Sequence, residues 1–383
     1  MEDALERARR LVEEYDAELR KSIPNGAELF DAHVHVGRDI DGFVAPYEEL
    51  MAFLARDSVR RAFAFCMDEP DREPAFRAPN DRTLQAAERS DGVLIPFVRL
   101  DLAEDPIDEA TRCLDRGARG IKLHPRAQGF LLNDERLAPV FALAAERGVP
   151  ILIHGGRGLP PIADHLKRLV EAYPNAQLII AHAGIADLAG LSEAFGGRTG
   201  VFFDTSVWSP IDLLDMFQRV SPEQVLYASD YPYGQQPDSL LMAVRTARLA
   251  ELTNDQVLDM LGRSALRIAN GEPPLPPTQP NGHRTLEQPI TFARIHHYLT
   301  MATPLLWTRQ SDTIGVLGLA LNACRERDAF DDARARIADL VACARDLWRS
   351  VQEAETDPEK TELRRLTFRL VHIADILAVT IAE

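Results

Sequence analysis

The feature that most constrains the fold is a regular alternation of short apolar stretches and amphipathic stretches between Glu28 and Leu249. The apolar stretches predict eight strands, each followed by a segment with helical periodicity. The predicted strands are Glu28–Val36, Arg61–Met67, Val93–Leu100, Gly120–His124, Pro150–His154, Gln177–His182, Val201–Ser206 and Val225–Asp230. Continuous apolar runs such as Ile151-Leu152-Ile153 are typical of parallel strands that are buried on both faces. Eight such units predict an α/β fold of the (β/α)8, or TIM barrel, type.

A doubly wound open sheet is the alternative fold, because it also alternates strands and helices. Such a sheet places a glycine-rich phosphate-binding turn directly after its first strand. The segment after the first predicted strand contains no such turn. The barrel is therefore the favoured architecture.

The remaining chain divides around the barrel, which we assign to residues 26–270. Residues 1–25 predict an amphipathic N-terminal helix. Residues 271–285 include five prolines and predict a stiff, extended linker. Residues 286–383 show no strand pattern and predict three or four helices. This helical C-terminal region is a candidate cap for the active site or a candidate homodimer contact.

Charge and cysteine content narrow the classes of partner and compartment. The net charge of −16 gives no electrostatic basis for binding nucleic acid or an anionic membrane surface. The four cysteines form no CxxC pair, which fits a reducing cytosol. The charged N-terminus has no signal-peptide core, and no apolar run approaches the roughly 18 residues that span a bilayer. We therefore expect a cytoplasmic protein with a small-molecule substrate.

The first predicted strand contains two histidines separated by one residue. Side chains alternate along a strand, so His33 and His35 point to one face, whereas Val34 and Val36 point to the other. Two imidazoles on one face are half of a transition-metal site. The alternative is a pair of polar residues on a half-exposed strand.

Later strands end in residues that complete a metal site. Active sites of TIM barrels lie at the carboxyl ends of the strands, where His154 and Asp230 are predicted to lie. Together with His33 and His35 they supply imidazoles and a carboxylate for a hydrolytic divalent metal. Zinc is the default for such a set, although manganese and iron use the same ligands. The alternative role of Asp230 is to cap a helix.

His182 ends the sixth predicted strand, within an apolar sequence. Its position at the barrel rim favours a role in polarising the substrate or moving protons. The alternative is a buried histidine of the core.

The fourth predicted strand carries a lysine and a histidine of the same parity. Lys122 could order a substrate carboxylate, pair with Asp230 or become a carboxylated metal bridge, and His124 could bind substrate or a second metal. The alternative for Lys122 is a buried lysine–carboxylate pair that serves packing. Arg126 and Arg157, in the loops that follow, are weaker candidates for binding a substrate carboxylate.

Five motifs occur in a fixed order along the chain. They are His33-Val34-His35, Gly120-Ile121-Lys122-Leu123-His124-Pro125, Ile153-His154-Gly155-Gly156, Ala181-His182-Ala183-Gly184 and Ala228-Ser229-Asp230. Over roughly residues 28–270 the chain resembles the amidohydrolase superfamily, and more narrowly its amidohydrolase-2 branch, which also contains decarboxylases of aromatic and muconate acids.

The resemblance implies a role for each matching residue. It implies that His33, His35 and His154 are metal ligands together with Asp230. It also implies that Asp230 serves as general base and that His182 polarises the substrate or moves protons.

Two further implications concern the fourth strand. Decarboxylases of this branch usually lack the Lys-x-His-Pro element, so Lys122 and His124 argue against that reaction. Other branches carry a carboxylated lysine between two metals at the position of Lys122, so a binuclear site stays an alternative to one metal ion.

The sequence thus predicts a metal-dependent hydrolase that acts on a small polar substrate, with a carboxylate as a candidate group, through metal-activated water. Non-oxidative decarboxylation by the same mononuclear site, a lyase reaction, is the second hypothesis. A non-catalytic scaffold whose helical region binds a partner is the third.

Overall fold

A computed structural model describes residues 3–234, 236–280, 288–326, 331–354 and 356–381. The last part of the predicted linker, residues 281–285, lies outside these ranges. Among the residues that the structure describes, no helix combines the length and the apolar character needed to cross a membrane.

The strands of the described chain form one sheet. They are β1 (Leu29–Arg38), β2 (Val44–Ala45), β3 (Val59–Cys66), β4 (Leu94–Arg99), β5 (Gly120–Leu123), β6 (Ile151–Ile153), β7 (Leu178–Ile180), β8 (Val201–Asp204) and β9 (Val225–Leu226). Their spatial order is β2-β1-β3-β4-β5-β6-β7-β8-β9. All neighbouring pairs are parallel except β1 and β2, which are antiparallel. The sequence did not predict β2, which pairs with the end of β1 and so extends that strand to Arg38.

Backbone hydrogen bonds close the sheet between β1 and the segment after β9. The amide of Ala32 donates to the carbonyl of Tyr227 at 2.9 Å, and the amide of Asp230 donates to the carbonyl of His33 at 2.9 Å. The amide of His35 donates to the carbonyl of Tyr231 at 2.8 Å. Because β1 and β3–β9 thereby form a closed ring of eight parallel strands, the prediction of a (β/α)8 barrel is confirmed.

Alternate residues of the strands fill the lumen of the barrel. The lumen holds, among others, Phe30, Phe63, Phe65, Phe97, Leu152, Ile179, Phe202 and Leu226. A Cβ atom at Gly120 would lie 2.5 Å from the ring of Phe97, so this position has room for glycine alone. Two residues further along their strands, the same alternation turns Lys122, His154 and Asp204 toward the interior. The apolar lumen therefore carries polar groups at the carboxyl ends of the strands.

Helices that connect or follow the strands pack around the barrel. They are α2 (Tyr47–Arg56), α3 (Arg77–Arg89), α4 (Pro106–Asp115), α5 (Pro125–Gln128), α6 (Leu137–Arg147), α7 (Ala163–Ala172), α8 (Leu188–Phe195), α9 (Pro210–Arg219), α10 (Gln236–Leu249), α11 (Asn254–Leu258) and α12 (Ser264–Ala269). Their start signals are local: in α9, Ser209 Oγ accepts from the amide of Asp212 at 3.3 Å, and Pro210 occupies the first turn. Leu213 and Phe217, one turn apart, then face the barrel core.

The N-terminal helix and the C-terminal region lie beside the barrel. The helices are α1 (Ala4–Ser22), α13 (Ile290–Trp307), α14 (Thr313–Ala323), α15 (Asp331–Glu353) and α16 (Asp357–Val379). The predicted helical character of the C-terminal region is thus confirmed. Buried Arg369 of α16 pairs with Asp238 of α10 at 2.9 Å and with Asp16 of α1 at 2.7 Å. This pairing joins both chain ends to the barrel.

The helical region also touches the loops at the carboxyl mouth of the barrel. The ring of Trp307, at the end of α13, lies 5.1 Å from Phe43 and 5.8 Å from Trp208. Phe43 in turn lies 4.9 Å from Tyr233, whose ring meets the edge of His35 at 5.2 Å. A continuous series of aromatic contacts therefore connects α13 with the site described below.

Candidate metal centre

An irregularity in β1 brings His33 and His35 into the lumen. In a regular strand, Phe30 and Ala32 would share a face with Val34 and not with His33. The register of β1 against β3 shifts before Val34, so that Phe30 and Ala32 face the lumen while Val34 packs in the outer core. Such a shift acts as a β-bulge and re-aims the residues that follow it.

A buried aspartate holds this irregular segment in place. Asp31 Oδ1 accepts from the amide of His33 at 3.2 Å and from the amide of Ser229 at 3.0 Å. Burial raises the pKa of Asp31 to about 7, although these hydrogen bonds oppose the shift. Asp31 thus ties the strand that carries the two histidines to the segment that carries Asp230.

Three predicted ligands converge on one point. The Nε2 atoms of His33 and His35 each lie 3.2 Å from Asp230 Oδ1, and the three ligand atoms lie within 4.8 Å of one another. All three residues are buried. Asp230 reaches this point because its backbone is left-handed, with a φ of 57°. Residues that are far apart in the chain therefore form one compact donor set.

Asp204, the last residue of β8, determines the tautomer of His33. His33 Nδ1 donates to Asp204 Oδ2 at 2.8 Å. Burial and the nearby charge of Lys122 hold the pKa of His33 well below its usual range, so the ring is neutral and carries one proton. Nε2 must then bear a lone pair, directed toward Asp230 Oδ1.

The five predicted histidines of the barrel form one series of ring contacts. Their ring centroids are 4.0 Å apart for His124 and His154, and 4.7 Å apart for His154 and His182. His182 and His33 are 5.2 Å apart, as are His33 and His35. The structure thus brings together all five, although His154 is not part of the compact donor set.

His154 nevertheless has the properties of a ligand. Its Nε2 atom is buried and has no hydrogen-bond partner among the described residues. Burial and the nearby His182 lower the pKa of His154 to about 2, so the ring stays neutral. A buried imidazole nitrogen without a partner is costly unless a ligand satisfies it.

His182 follows β7 in a strained turn. Its φ is 58° and that of Ala183 is 55°, both in the left-handed region. Asp204 Oδ1 accepts from the amide of His182 at 2.8 Å, and His182 Nδ1 lies 2.9 Å from the carbonyl oxygen of Ser206. This contact engages Nδ1 and fixes the orientation of the ring.

Lys122 is a buried lysine inside the site. Its Nζ lies 3.4 Å from His33 Nε2 and 4.5 Å from the centre of the Phe65 ring. Burial lowers the pKa of Lys122 to about 7, although Asp230 and Asp204 oppose the shift. Burial likewise raises the pKa of Asp230 to about 6, against the charges of His182 and Lys122. Burial therefore shifts the pKa of Lys122 down and that of Asp230 up, both toward neutral pH.

The other residues of the fourth strand and its loop have different surroundings. His124 caps α5: its Nδ1 accepts from the amide of Ala127 at 3.2 Å. Arg126 and Arg157 are exposed to solvent.

Sequence reasoning gave no role to Asp31 or Asp204, and both bind donors around the metal site. The sequence could have indicated Asp204, because it lies two residues after Phe202, near the end of a predicted strand. Alternation along the strand then turns both side chains to the same face. The sequence could not have indicated Asp31. In a regular strand its side chain would point to the same face as those of His33 and His35, and the register shift that changes this was not predictable from the pattern.

The donor set fits a divalent cation. The lone pair of His33 Nε2 faces a carboxylate oxygen at 3.2 Å, and neutral imidazoles and carboxylates are the ligands that zinc, manganese and iron use. Without a cation, burying these lone pairs against each other is unfavourable. A barrel that holds such a set at the carboxyl ends of its strands is of the class that builds metal-dependent enzymes.

Comparison with known proteins agrees with this class. The family model described as amidohydrolase, of the amidohydrolase-2 group, matches residues 30–268. Since the match covers more than half of the chain, the protein belongs to the amidohydrolase-2 family, a family of enzymes that generally use a divalent metal. The resemblance seen in the five motifs is thereby confirmed.

Several solved structures are similar to this chain at low sequence identity. A Staphylococcus aureus protein assigned to the amidohydrolases is 15% identical with a TM-score of 0.50, and the match covers 63% of this chain and 100% of that one. A 2,6-dihydroxybenzoate decarboxylase from Rhizobium is 16% identical, with a TM-score of 0.49 and coverage of 64% and 99%. An Acinetobacter baumannii protein assigned as a 2-pyrone-4,6-dicarboxylic acid hydrolase is 13% identical, with a TM-score of 0.48 and coverage of 63% and 99%. No curated protein matches the chain.

Proposed function

We propose that this protein is a metal-dependent hydrolase that acts on a small polar substrate. It holds one divalent ion, zinc by default, through His33, His35 and Asp230, with His154 as a further ligand. The observation that carries the proposal is the approach of the His33 Nε2 lone pair to Asp230 Oδ1, which a cation would stabilise. The metal would activate a water molecule and polarise the substrate.

The protein's own groups supply the proton transfers. Asp230, with a pKa raised by burial to about 6, is ionised at neutral pH and accepts a proton as the water attacks. His182, held by Ser206 through Nδ1, presents Nε2 to the substrate. Lys122, with a pKa lowered by burial to about 7, gives or takes a proton beside them.

Metal content is the first test. Protein purified without chelator is assayed beside a His33→Ala/His35→Ala variant, with His165→Ala, on helix α7, as control. One equivalent of metal that is lost only in the double variant supports the proposal. Two equivalents would point to a binuclear site with Lys122 and His124 as ligands. No metal after reconstitution would overturn the mechanism and leave a metal-independent, lactonase-like reaction or a scaffold role.

The second test separates hydrolysis from decarboxylation. The metal-loaded protein is offered a panel of small amides, lactones and aromatic carboxylic acids in water labelled with oxygen-18. Incorporation of the label into the product supports hydrolysis. Release of carbon dioxide without incorporation would replace the hydrolase with the decarboxylase alternative.

We also propose a cytoplasmic location. All four cysteines are buried, and none forms a disulfide within the described chain, which fits a reducing compartment. Recovery of the protein with a disulfide after thiol trapping in cells would contradict this.

A further inference from the structure

Arg99 lies at the rim of the same site and has no role in the chemistry proposed above. It is the last residue of β4 and pairs in register with Lys122 of β5. Phe97 of the same strand lies in the lumen, and alternation turns Arg99 to the same side. Neighbouring strands are about 4.8 Å apart, so Arg99 and Lys122 enter the site side by side.

The guanidinium of Arg99 is buried with most of its donors unused. The residue is 2% exposed. Nη1 donates to the carbonyl of Cys66 at 3.4 Å, but Nε and Nη2 have no hydrogen-bond partner among the described residues. A buried charge whose donors are unpaired is strongly unfavourable unless a ligand pairs with it.

The carboxylate of Asp68, which pairs with Arg99, does not satisfy its donors. Asp68 Oδ1 lies 3.9 Å from Arg99 Nη2, beyond hydrogen-bond distance, and 3.3 Å from Arg72 Nε. Asp68 thus lies between two arginines, and the fork of Arg99 keeps unpaired donors. Buried guanidinium donors that no carboxylate of the described residues reaches within hydrogen-bond distance favour an anionic ligand.

The structure holds Arg99 rigidly in this position. Asn80 of α3 accepts from the amide of Arg99 and donates to its carbonyl, both at 2.9 Å. The guanidinium carbon lies 4.8 Å from the centre of the Phe76 ring, in cation–π contact. A fixed arginine fork loses little freedom on binding, so it is well suited to recognise a planar anion.

We infer that Arg99 is a substrate-binding residue that pairs with a carboxylate of the substrate, beside Lys122. A guanidinium binds a carboxylate through two parallel N–H···O bonds, and Nε and Nη2 are the free pair on one edge of the fork. The inference rests on the proposed function and deepens it, because it defines the substrate as a carboxylic acid. It adds Arg99 to Lys122, Arg126 and Arg157, the residues that the sequence offered for binding a substrate carboxylate.

The test measures binding of benzoate and benzamide to chelator-treated protein by calorimetry. Without metal, benzoate has no cation to bind except the side chains of the site. We expect benzoate to bind the wild type, and Arg99→Gln to bind it roughly 10- to 100-fold more weakly, since hydrogen bonds between charged groups are lost. Benzamide, which lacks the charge, should show no such difference. Arg119→Gln, an exposed arginine at the opposite end of the neighbouring strand, is the matched control.

A second variant tests the inference without removing Arg99. Asp68→Asn removes the carboxylate that competes for the guanidinium, so we expect severalfold tighter benzoate binding. If Arg99 served only to pair with Asp68, this variant would bind benzoate no better than the wild type. Equal benzoate affinity in wild type and Arg99→Gln would also overturn the inference. The benzoate assay contains no metal, so its outcomes can be interpreted even if the metal-content test fails.

Discussion

His33 Nδ1 and Asp204 Oδ2 lie 2.8 Å apart, and both side chains are buried. Asp204 uses its other oxygen for the amide of His182 at 2.8 Å and for the hydroxyl of Ser206 at 2.5 Å. One carboxylate therefore orients a metal ligand and the turn that carries His182. Such partners fix the tautomer of a ligand and raise its basicity.

Asp204→Asn should weaken zinc affinity by roughly 10- to 100-fold. An amide has only one acceptor oxygen, so it cannot accept from His33 on one side and from His182 on the other. The affinity is measured by competition with a fluorescent zinc chelator. Asp215→Asn, at a half-exposed ion pair with Arg219 on the outer helix α9, is the control. An affinity equal to that of the wild type would show that Asp204 does not position His33.

Gly156→Ala should displace two histidines of the site. A Cβ atom at this position would lie 2.8 Å from His182 Cδ2 and 3.0 Å from His154 Cε1. Because a shift of about 1 Å in a catalytic group can reduce turnover 100-fold, we expect a loss of kcat of that order, with substrates found in the screen. Gly315→Ala, in open space on α14, is the control. Unchanged turnover in Gly156→Ala would contradict the placement of His182.

Trp307→Ala should loosen the helical region from the barrel mouth. Its ring contacts Phe43, Trp208 and Phe368, and aromatic pairs contribute about 1 kcal/mol each beyond their buried area. We expect a loss of about 2 kcal/mol or more in urea unfolding, with faster hydrogen exchange in α13. Met301→Ala, exposed on the same helix, should change neither quantity. If amide hydrogen exchange in α13 of Trp307→Ala stayed at the wild-type rate, these contacts would not hold the helix to the barrel mouth.

The His296–Asp375 pair, which joins α13 to α16 at 2.7 Å, should make stability depend on pH. Burial lowers the pKa of His296, but the hydrogen bond and charge of Asp375 outweigh it, so the pKa lies above the ordinary 6.5. The folded protein therefore binds this proton more tightly than the unfolded chain does. The resulting stability is fully present below pH 6.5 and is lost as pH rises through the folded pKa.

His296→Gln should accordingly cost about 1 kcal/mol of unfolding free energy at pH 5.5 and less at pH 9. His297→Gln, its exposed neighbour, supplies the control at both values. If His296→Gln cost more unfolding free energy at pH 9 than at pH 5.5, the pKa of His296 would not be raised in the folded protein.

The sequence alone determined the barrel and the main members of the site. Strand periodicity is local, so the apolar runs revealed eight strands, and the ends of those strands identified His154 and Asp230 as candidate ligands. The carboxyl ends of parallel strands meet at one edge, which made convergence of these groups predictable. The end of the sixth predicted strand placed His182 at the same edge.

Only the tertiary structure decided how these groups are held and charged. The shift in β1, the acceptor roles of Asp31 and Asp204, and the unused donors of Arg99 all depend on residues that are distant in the chain. Burial sets the pKa of Lys122, and burial is a property of the whole packed barrel. The alternation of side chains along a strand depends on neighbouring residues. The protonation of a buried group, and whether its donors are satisfied, depend on the distant residues that the fold places next to it.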